Sequence, residues 1–128
     1  MRRKMLKKLA AYLVHDVKDE WFYLGNWASA GFKQKKCGTT ACALGWATAC
    51  FPRSRLMLVK DDVPGRSMDI RYRDAKGDEF DGYEAAEVMF GIGYSDARYL
   101  FAPDEYQDDR SREAVAERLL KVADRGQS

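Results

Sequence analysis

The chain has 128 residues, 46% hydrophobic and 12% aromatic, a composition that excludes a disordered polyelectrolyte and suits one domain, 1–128, with a buried core. Its net charge is only +2, yet residues 1–60 hold 12 Lys and Arg against 3 Asp and Glu, and residues 61–128 hold 10 against 17. Such a division implies either a basic patch that meets an acidic or nucleic-acid partner, or two halves that neutralise each other on folding; composition alone favours self-neutralisation.

The start, Met1-Arg2-Arg3-Lys4-Met5-Leu6-Lys7-Lys8, is basic like the first part of a signal peptide. The apolar stretch that follows, Leu9 to Val14, is six residues long and runs into His15-Asp16, where a secretory core needs roughly 7–15. No apolar run approaches the roughly 20 residues that span a bilayer. The three cysteines are an odd number without spaced pairs, which does not make a secreted disulfide framework. The expectation is a cytoplasmic protein with reduced thiols and no membrane partner.

Residues 4–18 carry a helical pattern, with Leu6, Leu9 or Ala10, Leu13 and Val17 on one face and Lys4, Lys7, Lys8 and Lys18 elsewhere. Asp19 to Trp27 is dense in aromatics and ends in a turn signal, so it reads as a partly buried connector with a short helical turn. Ala28 to Lys36 is a basic loop. The run from Cys37 to Pro52 then holds no charged residue after Thr39. Its Gly-Thr-Thr opening suits a helix start and Pro52 a helix stop. A helix apolar all round is a buried one, and Gly45, costing about 1 kcal/mol relative to alanine in a helix interior, implies close packing there. This is the expected central core helix.

Leu56 to Lys60 reads as a strand, Asp61 to Ser67 as a turn, and Met68 to Arg73 as a second strand with Met68, Ile70 and Tyr72 inward. A further turn, 74–78, precedes a short third strand near Glu79-Phe80. Asp81-Gly82-Tyr83-Glu84 has the form of a capping box, with Phe80 and Ala85 as its staple, opening a helix that stops at Gly91. Ser95 caps a second helix, Asp96 to Phe101, ended by Pro103. Asp104 to Arg110 is an acidic solvated loop, and Ser111 caps a last helix whose stripe is Val115, Leu119 and Val122 beside Ala116, Leu120 and Ala123. The expected fold is α+β: mostly helical, around a buried central helix, with one small antiparallel β-hairpin or sheet.

Three blocks, Cys-Gly-Thr-x-Ala-Cys-Ala-Leu-Gly-Trp-Ala at 37–47, Asp-Ala-x-x-Leu-Phe-x-Pro-x-x-Tyr at 96–106 and Glu-Ala-Val-Ala-Glu-Arg at 113–118, resemble a group of small uncharacterised proteins of phages and bacteria. The resemblance implies a phage or mobile-element setting and carries no activity to any residue.

Chemistry-bearing residues are few. Cys37, Cys42, Cys50 and His15 are ligand types for zinc, but Cys42 and Cys50 are eight residues apart on the expected helix, roughly 12 Å, so no metal site is expected. Cys42 in a first helical turn has the setting of an activated thiol. A thiol hydrolase also needs an oriented base, and the single histidine, His15, has no evident route to Cys42. Gly91-Ile92-Gly93 follows a helix instead of a strand, so it is no dinucleotide loop, and the cluster Asp104, Glu105, Asp108, Asp109 lacks the calcium-loop order. Asp61-Asp62 serves turn geometry. No catalytic residue, metal or cofactor is therefore expected.

The basic set Arg2, Arg3, Lys4, Lys7, Lys8, Lys33, Lys35 and Lys36, extended by Arg53 and Arg55, is the candidate partner-binding surface. Aromatics at Trp21, Phe22, Tyr23, Trp27, Phe32, Tyr94, Tyr99 and Tyr106 add the residue types of protein–protein hot spots. These point first to a small non-enzymatic protein-binding module, in a phage setting an inhibitor of a bacterial defence protein. Two alternatives stand beside it: a nucleic-acid-binding accessory protein using the basic half, and a Cys-dependent hydrolase.

Overall fold

The structure is a computed structural model, and it describes residues 2–23, 42–59, 68–106 and 109–125. Five α-helices and a three-stranded antiparallel sheet make up the described residues, in the order α1 (Arg3–His15), α2 (Ala43–Cys50), β1 (Leu56–Val59), β2 (Asp69–Arg73), β3 (Glu79–Asp81), α3 (Tyr83–Phe90), α4 (Tyr94–Phe101) and α5 (Arg112–Arg125). The mostly helical α+β architecture is the one expected. Thr39 and Thr40, Lys33, Lys35 and Lys36, Cys37 and the 61–67 turn lie outside the described residues.

Helix α1 buries Leu6, Leu9, Ala10 and Leu13, the i, i+3, i+4, i+7 stripe of an amphipathic helix, and packs most extensively on α5. Complete burial of a leucine contributes about 1.5–3 kcal/mol, so Leu6, Leu9 and Leu13, each at 0% exposure, anchor the α1–α5 pair. The guanidinium of Arg112 at the start of α5 donates to the carbonyls of Val14 and Val17. It thereby occupies orphan acceptors at the end of α1.

Helix α2 buries Ala43, Leu44, Gly45, Trp46, Ala47 and Cys50, as expected of a helix apolar on every side. It touches α1 and β1. Trp46 closes one end of the core: its indole N–H donates to the Trp21 carbonyl at 3.1 Å, and the two indoles stack with centroids 6.1 Å apart. A 3₁₀ turn at Asp19–Trp21 sets that carbonyl, so Trp21 and Phe22 of the aromatic connector pack against the core.

In the sheet, Leu56 pairs with Tyr72 and Leu58 with Ile70, and Tyr72 pairs with Phe80 on the other side. Period-two alternation puts these residues on one face, toward the core, and Met68, Ile70 and Tyr72 point inward as expected. The other face carries Arg71, which donates from Nε to Asp81 at 2.8 Å, and Arg73, which donates to Glu79 at 2.6 Å.

Several helix boundaries differ from expectation. The N-cap of α3 is Gly82 at φ 60°, ψ −129°, without a side-chain cap bond. Asp81 is instead the last residue of β3 and holds Arg71, so pairing across the sheet prevails over the capping box. Helix α4 begins at Tyr94 after Gly93, again without a side-chain cap; Ser95 lies inside it. Leu120 is 43% exposed and stands off the α5 stripe. Ser111 does cap α5, its hydroxyl accepting the Ala114 N–H at 3.2 Å, and Gly91 closes α3 in the left-handed region at φ 67°, ψ 41°. Asp104 and Glu105 lie in a 3₁₀ turn, Pro103–Glu105, and pair with Arg98.

Candidate functional site

The thiols come first, because they carry the enzyme alternative. Cys42 is the residue before α2, in extended backbone, and is completely buried. Backbone N–H groups of Leu44 and Gly45 favour its thiolate, but desolvation is larger and pushes the thiol up to about 11. A helix start thus fails to activate this cysteine, because removing a thiolate from water outweighs a few oriented N–H groups. Cys50 is also pushed up to about 11 by burial, against the nearby Lys8 ammonium. Among the described residues, no three His, Cys, Asp or Glu side chains converge as metal ligands.

The aromatic set is not one surface. Tyr106 is 2% exposed and donates its hydroxyl to the Leu100 carbonyl at 2.7 Å. The Arg118 guanidinium lies 3.7 Å from the Tyr106 ring centroid and 4.3 Å from that of Tyr99, and donates to the carbonyls of Tyr99 and Glu105. Together they form a clamp that locks the 99–106 segment to α5. Trp21 and Phe22 pack against the core, which leaves Tyr23 and Tyr94 as the open aromatics. Trp27 and Phe32 lie outside the described residues.

The basic surface holds together better. The Arg2 N–H donates to the Phe90 carbonyl at 2.8 Å, and the Arg2 carbonyl accepts from Met5 and Leu6, fixing the backbone at the head of α1. The first turn of α1 has no acidic residue. Lys4, Lys7 and Lys8 are exposed and Arg3 is half-buried, and the Lys8 ammonium sits 5.4 Å from the Phe51 ring centroid. This contact brings the α1 cations beside the segment 51–55. There Arg53 is exposed, and Arg55 donates from Nη1 to the Asp74 carbonyl at 2.6 Å.

Arg2, Arg53, Arg55 and Lys76 line one cleft of about 470 Å³. Arg53 and Arg55 belong to the set read from the sequence, while Lys76 does not, since it sits in the acidic half. Its signal was the hairpin register: pairing Leu56 with Tyr72 carries the 74–78 turn to the Arg55 end of β1. The Asp74 carboxylate, also at the cleft, accepts the backbone N–H groups of Lys76 and Asp78, both at 2.9 Å, and so serves the turn.

Ion pairing is segregated. Among the described residues every ion pair joins partners within 71–125: Arg71 and Arg73 with Glu79 and Asp81, Arg98 with Asp104 and Glu105, Arg112 with Glu113, Lys121 with Glu117, and Arg125 with Asp96. No ion pair links the basic half to the acidic half among these residues. The halves meet instead through apolar packing, most extensively between α1 and α5, and through backbone hydrogen bonds such as the pairing of β1 with β2.

No protein-family model matches this chain, and neither the curated proteins nor the solved structures contain a match to it. No helix among the described residues is long and apolar enough to cross a membrane.

Proposed function

We propose that the protein is a non-enzymatic binding module that docks on an acidic face of a protein partner through the cations of α1 and the segment 53–55. The observation that carries this reading is the segregated ion pairing: Arg2, Lys4, Lys7, Lys8 and Arg53 have no ionic partner among the described residues, while Arg71, Arg73, Arg98, Arg112 and Arg125 of the second half do. Like charges held together weaken the fold by repulsion, and an acidic partner relieves that repulsion. Such a surface speeds encounter and selects partners more than it adds affinity. The buried, hard-to-ionise Cys42 speaks for a binding role over a thiol hydrolase. The phage setting implied by the resemblance extends the proposal to inhibition of a bacterial defence protein.

A nucleic-acid-binding role is the second reading, favoured by the same exposed cations. It ranks lower because the acidic half, with 17 Asp and Glu against 10 Lys and Arg, repels an extended polyanion but not a local acidic patch. A tagged pull-down from bacterial lysate, with and without nuclease, tests both. One dominant nuclease-resistant protein, lost in Lys4→Glu/Lys8→Glu, is the expected result. Nucleic acid recovered instead, or a partner released by nuclease, overturns the protein-binding reading in favour of the second.

A further inference from the structure

We infer that the cleft between the head of α1, the segment 53–55 and the 74–78 turn is a binding site for a small diphosphate-bearing ligand with an apolar body, the chemistry of a nucleoside diphosphate. Four cations, Arg2, Arg53, Arg55 and Lys76, reach it from three separate parts of the chain. Each of those parts is fixed by backbone bonds: Arg2 to Phe90, Ser54 to Phe51, Arg73 to Arg55, and Asp74 to Asp78. The backbone positions that carry the cations are therefore set by the fold, the Arg55 side chain is further held by the Asp74 carbonyl, and the four do not share one helix face.

The chemistry of the lining favours phosphate. Arginine presents a planar fork of donors that matches phosphate oxygens two at a time, and three of the four cations are arginines. Asp74 is the one carboxylate of the lining, and its Oδ1 accepts two backbone N–H groups, which lessens its repulsion of an anion. Ser54 Oγ accepts the Leu56 N–H at 3.3 Å, which leaves the hydroxyl hydrogen to donate toward the cleft. Behind the cations, Met5, Tyr72 and Val88 supply apolar wall. A volume of about 470 Å³ falls in the usual range for small-molecule sites, roughly 300–1,000 Å³. A lining that combines cations with apolar side chains fits a ligand with an anionic end and an apolar body.

This site goes beyond the docking proposal and does not depend on it. The test is isothermal titration calorimetry of the full chain at constant ionic strength, with inorganic pyrophosphate, adenosine diphosphate and a single-stranded oligonucleotide as separate titrants. The variants are Arg53→Glu and Lys76→Glu in the cleft and Lys121→Glu on α5, each checked for native circular dichroism. One-to-one binding of pyrophosphate and the nucleotide is expected, weakened about tenfold or more by either cleft substitution, the scale of a lost charged hydrogen bond, and unchanged by Lys121→Glu. Tighter binding of the nucleotide than of pyrophosphate is expected from the apolar wall. Binding of pyrophosphate alone overturns the apolar-body part. No saturable binding of either, equal weakening in all three variants, or binding of the oligonucleotide alone overturns the site, the last in favour of a nucleic-acid surface. A chain that captures its protein partner but binds no diphosphate refutes this inference and leaves the docking proposal standing.

Discussion

Replacing Cys42 by alanine should flatten the alkaline stability profile of the protein. In the folded chain the Cys42 thiol is raised from 9.0 to about 11, and burial is the largest cause. The folded state thus holds its proton more tightly than the unfolded state does. Such a group contributes stability that is fully present below pH 9 and is lost as pH rises through 11, because the unfolded chain gains free energy by ionising first. One pH unit of differential ionisation corresponds to about 1.36 kcal/mol. Between pH 8 and pH 10 this one thiol should remove on the order of 1 kcal/mol of stability, approaching roughly 3 kcal/mol once both states are ionised.

Urea unfolding at pH 8, 9 and 10, followed by tryptophan fluorescence, reads this directly. Wild type and Cys42→Ala should differ in slope by on the order of 1 kcal/mol over that span, whatever the alanine costs at pH 8. Native Cys42 should also resist a thiol reagent at pH 8 and react once urea opens the chain. Equal slopes, together with rapid labelling of native Cys42, would refute the argument, since they would mean an accessible thiolate at the helix start. The enzyme alternative would then return to the front.

Three further perturbations probe the framework. Tyr106→Phe leaves the buried Leu100 carbonyl without its donor and should cost about 1–2 kcal/mol in chemical denaturation, with the helical circular dichroism intact. Gly91→Ala forces a β-carbon into the left-handed conformation at φ 67°; a loss of about 1–2 kcal/mol is expected, visible as a lowered thermal midpoint. Arg112→Ala removes the donor to Val14 and Val17 and should cost about 1–3 kcal/mol. Hydrogen exchange should then speed up at the end of α1 and the start of α5 while leaving the sheet unchanged.

What the sequence made legible follows the range of the interactions involved. Elements set by local periodicity or backbone chemistry stood where expected: the α1 stripe, the inward set Met68, Ile70 and Tyr72, the stop at Gly91 and the cap at Ser111. The misses came where a distant partner competed with a local pattern. Asp81 had the spacing of a capping residue, but Arg71, ten residues earlier in the chain and adjacent across the sheet, claims its carboxylate. Tyr106 sat in a polar acidic stretch with the look of a surface aromatic, and its packing in the core and beneath Arg118 buries it. Lys76 escaped notice for the same reason, since strand register and not sequence neighbourhood carries it to Arg55.

The division of charge by halves has a related physical basis. Once β2 and β3 pair, Arg71 and Arg73 face the acids of β3 directly, and Arg98, Arg112 and Arg125 find acids nearby in the chain or on a neighbouring helix, while Arg118 donates to backbone carbonyls. Exposed pairs of this kind contribute little each, about 0–1 kcal/mol, but they occupy the carboxylates nearest to the second-half cations. The N-terminal cations meet the rest of the fold through the apolar underside of α1, with Leu6, Leu9 and Leu13 against α5, so burying that stripe turns Lys4, Lys7 and Lys8 outward. The same packing that stabilises α1 thus produces the basic surface, which has no ion pair among the described residues. Arg53, Arg55 and Lys76 extend that surface into a cleft, and there the argument passes from how the chain folds to what it binds.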